Sequence, residues 1–158
     1  MIFSKRSTAF FVLFSVVLVD QATKWWILAV IMSPPTIISV SNFFNLVLVM
    51  NTGVSFGIFG GGDWWVRWAL VVCASLLTVG LFFWMIKTKE RPLSFGLAFI
   101  IGGAVGNLID RIRFGAVVDF LDFHYQSWHW PAFNIADSTI TLGVAIILID
   151  SLCSSKSK

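Results

Sequence analysis

Four stretches of this sequence are each long and apolar enough to cross a bilayer, which limits the fold more than any other feature. A membrane helix needs about 20 predominantly apolar residues, and residues 9–31, 64–86, 93–109 and 134–152 supply them. The chain as a whole is 58% hydrophobic and only 12% charged, against roughly a quarter charged in soluble domains, so lipid is its main solvent. Its 158 residues suit one domain, taken as 1–158. A net charge of +3, scattered along the chain, gives no footprint for nucleic acid. Cys73 and Cys153 lie far apart in apolar surroundings without metal-binding spacing, and no disulfide framework is expected. Lys5 and Arg6 precede the first apolar run as in a cleavable signal. The run continues past Asp20, Gln21 and Lys24 to about Met32, too long and too polar for a signal core, so it reads as a retained span.

Basic residues set the topology. Lys5 and Arg6, then Lys87, Lys89 and Arg91, then Lys156 and Lys158 form three clusters. With four spans all three fall on one side, as the positive-inside rule requires. Residues 36–59 are uncharged but hold several asparagines and glycines, and a fifth span there would place the middle cluster opposite the N-terminus. Their core, residues 43–50, is rich in valine and aromatics and reads as a strand. The expected fold is therefore an all-α membrane protein of four transmembrane helices. A small β-rich extracytoplasmic cap is expected within residues 33–63. A second outer segment, 110–133, is expected to lie at the interface, where its Phe, Trp, Tyr and His side chains are favoured.

Ionisable groups inside spans cost about 2.5–3.5 kcal/mol each at the helix centre, so their positions carry information. Asp20 and Lys24 are four apart on one helix and can pair. As a pair alone, they read equally well as a tie between helices and as part of a site. The third span ends in GGAVGNLIDR. Gly102 and Gly106 there read as a close-packing motif. Asn107 and Asp110 share a face beside Arg111, which as a helix-end residue can snorkel. Taken singly, Asp119 and Asp122 read as solvated loop carboxylates, and Asp137 as a carboxylate complementing a helix dipole. Together the picture changes, because the third and fourth spans end on the same face and Asp119 and Asp137 can converge there.

Two carboxylates at one site share a proton, since like charge raises one pKa. The ionised member can take a proton from water while the protonated one polarises a peptide carbonyl, giving hydrolysis without a covalent intermediate. No histidine is spaced for a nucleophile triad. His124 and His129 near Asp119 and Asp122 are a weak suggestion of zinc, with no HExxH or comparable spacing. A transporter would need polar groups through the membrane depth, whereas the fourth span carries no charge between Asp137 and Asp150. A membrane chaperone would use the same aspartates only as structural ion pairs.

Four blocks in order, VDQATKWWI, NTGVSFGIF, GGAVGNLIDRIRFGAVVDFLDF and PAFNIADSTITLG, resemble lipoprotein signal peptidase, or signal peptidase II, over nearly the whole chain. The resemblance implies an intramembrane aspartic peptidase. Such an enzyme removes the signal peptide from bacterial prolipoproteins just before a diacylglyceryl-modified cysteine. It implies Asp119 and Asp137 as the catalytic pair. It places Asp20, Lys24, Asn51, Gly53, Asn107, Asp110, Arg111, Asn134 and Ala136 around them as substrate-binding or supporting residues. It further implies no metal or cofactor, contact with membrane lipid, and inhibition by globomycin-type peptides. The location implied is the cytoplasmic (inner) membrane, with both termini cytoplasmic and the site near the extracytoplasmic face. The outer segments would clamp the substrate, and residues 125–130 receive no role.

Overall fold

The computed structural model describes residues 5–53 and 64–155. Residues 54–63 of the expected segment 33–63, with VSFGIF of the second block, and the basic residues Lys156 and Lys158 lie outside the described residues. The elements run α1 (Lys5–Trp26), β1 (Ile38–Ser41), β2 (Phe44–Asn51), α2 (Trp64–Lys87), α3 (Arg91–Phe114), β3 (Val117–Tyr125), β4 (Trp128–His129) and α4 (Ile135–Ser155). A wider helical turn, Ile27–Ile31, extends α1.

All four helices are long and apolar enough to span a membrane. Their outward surfaces carry Phe11, Phe14, Leu18, Leu76, Leu77 and Leu148 in exposed positions, as lipid solvation allows. The third helix is central and packs against the other three. Between apolar helices in lipid, association rests on van der Waals packing and on small residues that admit a neighbour. Gly102 lies against Val16 of α1 accordingly. A methyl group at Gly106 would collide with the Asp20 carboxylate, so that glycine makes room for a charge rather than for backbone.

The segments between α1 and α2 and between α3 and α4 join in one antiparallel sheet of order β1-β2-β3-β4. Strand β2 confirms the valine-rich run as extended chain. Strand β3 was expected only as interfacial chain. It is a paired strand because Val117, Val118, Asp119 and Phe120 are all buried, so it lacks the in-out alternation that reveals a strand in sequence. The third helix also runs five residues past its expected end at Ile109, because Asp110 and Arg111 are accommodated inside the protein.

Two apolar clusters frame the middle of the molecule. One holds Ala9, Leu13, Met85, Leu97, Ala98 and Ile101 among α1, α2 and α3. The other sits beneath the sheet around Ile27, Met32 and Phe120. Buried polar side chains of α1, α3, β3 and the start of α4, among them Asp20, Lys24, Asn107, Asp110, Asp119 and Asn134, complete the interior.

Candidate active site

The site forms where the C-terminal halves of α1 and α3 meet the N-terminus of α4 under strand β3. Lys24 is 2% exposed and Asp20 0%, so the charges need internal partners. Lys24 Nζ lies 2.9 Å from Asp20 Oδ2 and 2.8 Å from Asp110 Oδ2, and it donates to Asn107 Oδ1 at 2.9 Å. All three ammonium donors are engaged, the condition under which a buried charge is tolerated. Asp20 Oδ1 accepts the Ala136 backbone N–H at 2.9 Å, one of the N–H groups that a helix N-terminus leaves without an internal partner. Asp110 Oδ2 also accepts the Val118 N–H at 3.1 Å, tying α3 to the strand that carries Asp119.

Asn134 caps α4. Its Oδ1 accepts the Asp137 N–H at 3.0 Å, and Asp137 Oδ2 accepts the Asn134 N–H at 3.2 Å. This is a reciprocal capping box with aspartate in the third helical position. The cap leaves Asn134 Nδ2 free to donate to Asp119 Oδ1 at 2.7 Å and to Asn107 Oδ1 at 3.2 Å. Asn107 Nδ2 donates in turn to Asp137 Oδ1 at 2.8 Å.

On the far side, Asn51 Nδ2 donates to Asp119 Oδ2 at 2.9 Å. Its orientation follows from the next turn, where Asn51 Oδ1 accepts the Gly53 N–H at 2.8 Å. Gly53 has φ +81°, a left-handed conformation that favours glycine. Arg111 brings its guanidinium into the field of Asp137, Asp119 and Asp110, with its Nε enclosed and unpaired.

The two focal aspartates differ in environment. Asp119 is 1% exposed. Burial is the main force pushing its carboxyl up to about 6; the Asp137 charge adds to this, while the Asn51 and Asn134 hydrogen bonds and the Lys24 charge oppose it. Asp137 is half-buried and opens onto a pocket of about 470 Å³ lined also by Trp130, Phe133, Ser138 and Thr141. A larger cleft of about 630 Å³ touches neither aspartate.

Every residue that the sequence assigned to the site lies in this network or directly beside it. Three contributors were not assigned. Gln21 Nε2 donates to Asp110 Oδ1 at 3.0 Å and to the Gly106 carbonyl at 3.2 Å; an amide inside a span, next to Asp20, was the available signal. Arg67 of α2 donates to the carbonyls of Arg111 (2.9 Å) and Ile112 (2.6 Å), closing the end of α3. Asp122 is not a solvated loop carboxylate: it is 6% exposed and accepts from Asn45 Nδ2 at 3.0 Å and from His129 Nδ1 at 2.9 Å. Its burial acts to raise its pKa, but these hydrogen bonds and the His129 and His124 charges hold it below the usual carboxylate range. Among the described residues, no group of three or more His, Cys, Asp or Glu side chains is arranged to hold a metal ion.

The sequence profile of the family described as Signal peptidase (SPase) II matches residues 12–153. A lipoprotein signal peptidase of Desulforapulum autotrophicum is 45% identical over 136 residues, covering 84% of each chain. One from Polynucleobacter necessarius is 41% identical over 145 residues, covering 90% of this chain and 88% of the relative. Among solved structures, a bacterial membrane enzyme determined by the in meso method superposes with a TM-score of 0.81 at 31% identity, covering 96% of this chain and 92% of the other.

Proposed function

The chain belongs to the signal peptidase II family, a multi-pass membrane peptidase that removes signal peptides from prolipoproteins, and we propose that it does so with Asp119 and Asp137 as a catalytic pair. The observation that carries this reading is the pair's linkage. One asparagine, Asn134, bonds both residues, and a second, Asn107, connects Asp137 to the buried lysine.

In the proposed mechanism Asp119, whose carboxyl burial pushes up, supplies the shared proton. Asp137, at the N-terminus of α4, acts as the base of the pair. Asp137 takes a proton from a water molecule as that water attacks the scissile carbonyl, and Asp119 donates its proton to the carbonyl oxygen. Collapse of the tetrahedral intermediate breaks the C–N bond. The leaving nitrogen takes up the proton held by Asp137, and one hydroxyl proton returns to Asp119, which restores the pair.

The substrate is a prolipoprotein whose cysteine carries a diacylglyceryl group, cut on the N-terminal side of that cysteine. Its acyl chains remain in membrane lipid while the peptide bond meets water, which suits a pair at the ends of spans. Globomycin-type peptides would occupy the same pocket. The enzyme sits in the bacterial cytoplasmic membrane with both termini cytoplasmic and the pair near the extracytoplasmic face. Positions 51 and 53 and the outer sheet hold the substrate over Asp137.

The test is cleavage of a purified diacylglyceryl-modified prolipoprotein by wild type, Asp119→Asn and Asp137→Asn, each shown to be folded in detergent. Wild type should cut before the lipidated cysteine and both variants should be inactive. Normal cleavage by either folded variant would refute the two-aspartate mechanism.

A further inference from the structure

Residues 125–130 had no role in the sequence reading. In the structure they turn back along β3 as a tight hairpin, with Tyr125 opposite Trp128 and His124 opposite His129. The returning arm then leads through residues 131–133 into Asn134, the cap of α4. It therefore connects the strand carrying Asp119 to the helix carrying Asp137.

The arm is fastened at three levels. Near Asn134, Phe133 exchanges backbone hydrogen bonds with Leu121 at 2.8 and 3.1 Å. In the middle, the Trp130 N–H reaches the Phe123 carbonyl at 2.8 Å. At the tip the fastening is by side chains. His129 Nδ1 lies 2.9 Å from both oxygens of Asp122, and Asn45 of β2 holds Asp122 from behind. The His129 ring also stacks on His124, with centroids 5.0 Å apart. Strand β4 has only two residues, too short to hold itself by backbone pairing alone.

Next in the chain is Trp130. It lines the pocket over Asp137 and also the larger apolar cleft formed with Pro35, Ile37, Val47 and Pro131. Trp130 is the residue common to both linings and is 56% exposed, so core packing does not fix it. Its ring meets that of Trp128 edge-on, with centroids 6.1 Å apart, and its backbone is held through Phe123 and the neighbouring His129.

We propose that Trp130 is a substrate-contacting, specificity-determining wall of the pocket over Asp137, and that His129, held by Asp122, is the residue that positions it. The proposal rests on the peptidase reading above. It requires that Trp130 and His129 act on substrate binding, through KM, and leave the chemical step alone.

Steady-state cleavage of the diacylglyceryl-modified prolipoprotein tests this with Trp130→Leu, His129→Leu, the double variant and His129→Asn. Each single leucine variant should raise KM about five-fold and hold kcat within about two-fold, the pattern of lost binding without lost chemistry. The double variant should be no worse than either single one, since residues acting through one element are not additive. His129→Asn should recover wild-type KM, because its amide nitrogen can take the place of Nδ1 opposite Asp122. Unchanged KM in Trp130→Leu overturns the proposal, as do additive effects in the double variant or failure of asparagine to rescue. Should His129→Leu not fold, Trp130→Leu and His129→Asn still decide it. An inactive wild type would instead overturn the peptidase reading.

Discussion

Asn134 donates to Asp119 across 2.7 Å while forming the cap of the helix on which Asp137 sits. One side chain thus sets a strand residue and a helix residue at a fixed offset. The aspartates need no direct bond to be aligned, and the alignment is coupled to helix stability. Removing Asn134 should therefore damage folding and catalysis together.

Asn134→Ala should lose about 1–2 kcal/mol of stability, the upper range for a lost cap. It should also lose about a hundred-fold in kcat, as when a positioned donor is removed from an active site. Thermal unfolding in detergent, paired with cleavage kinetics, measures both. Full activity in a folded variant would show that the asparagine is only a cap.

The pH profile follows from Asp119. Its carboxyl is pushed up to about 6, chiefly by burial, and the proposed mechanism needs it protonated. The kcat/KM of the free enzyme should therefore fall as pH rises through that value. The Asn51 hydrogen bond opposes the shift, so Asn51→Ala should move this limb to higher pH. A limb that stays in place would remove Asp119 from the role of proton donor. The linkage has the same sign: a raised carboxyl contributes most stability below its unfolded value near 3.9, and that contribution is lost as pH rises through about 6.

Lys24 is the ammonium shared by two buried carboxylates, Asp20 and Asp110. Lys24→Met leaves both without their cation, and breaking a buried ionic cluster from one side costs about 3–5 kcal/mol. The variant should unfold at a markedly lower temperature. A melting temperature equal to wild type would mean that the cluster contributes nothing to stability.

Gln126 has φ +53° at the tip of the β3–β4 hairpin, a left-handed conformation that costs a non-glycine residue about 1 kcal/mol. Gln126→Gly should raise the melting temperature by about 2–4 °C in a chain of this size. An unchanged or lower value would show that the strain is relieved elsewhere.

Much of this was legible in the sequence because lipid makes polar residues conspicuous. Asp20 and Lys24 stood out in the first span and are indeed paired. The valine-rich run before Asn51 is indeed a strand. The end of α3 was hidden because hydropathy counts Asp110 and Arg111 as solvent-seeking, and it cannot register that Lys24, Gln21 and Val118 await Asp110 inside. Strand β3 was hidden because burial on both faces erases its alternation. Asp122 and His129 looked like surface chemistry, since nothing in their spacing shows that Asn45, 77 positions from Asp122, stands behind them.

The bond between Asp20 and the Ala136 amide joins residues 116 positions apart, and it has a consequence for biosynthesis. The ribosome delivers Asp20 well before the opening turn of α4. Until that turn arrives, an incomplete chain has Asp20 one partner short, Asp119 without Asn134, and no Asp137. Under the two-aspartate mechanism proposed above, a chain interrupted before that turn should be inert toward neighbouring proteins.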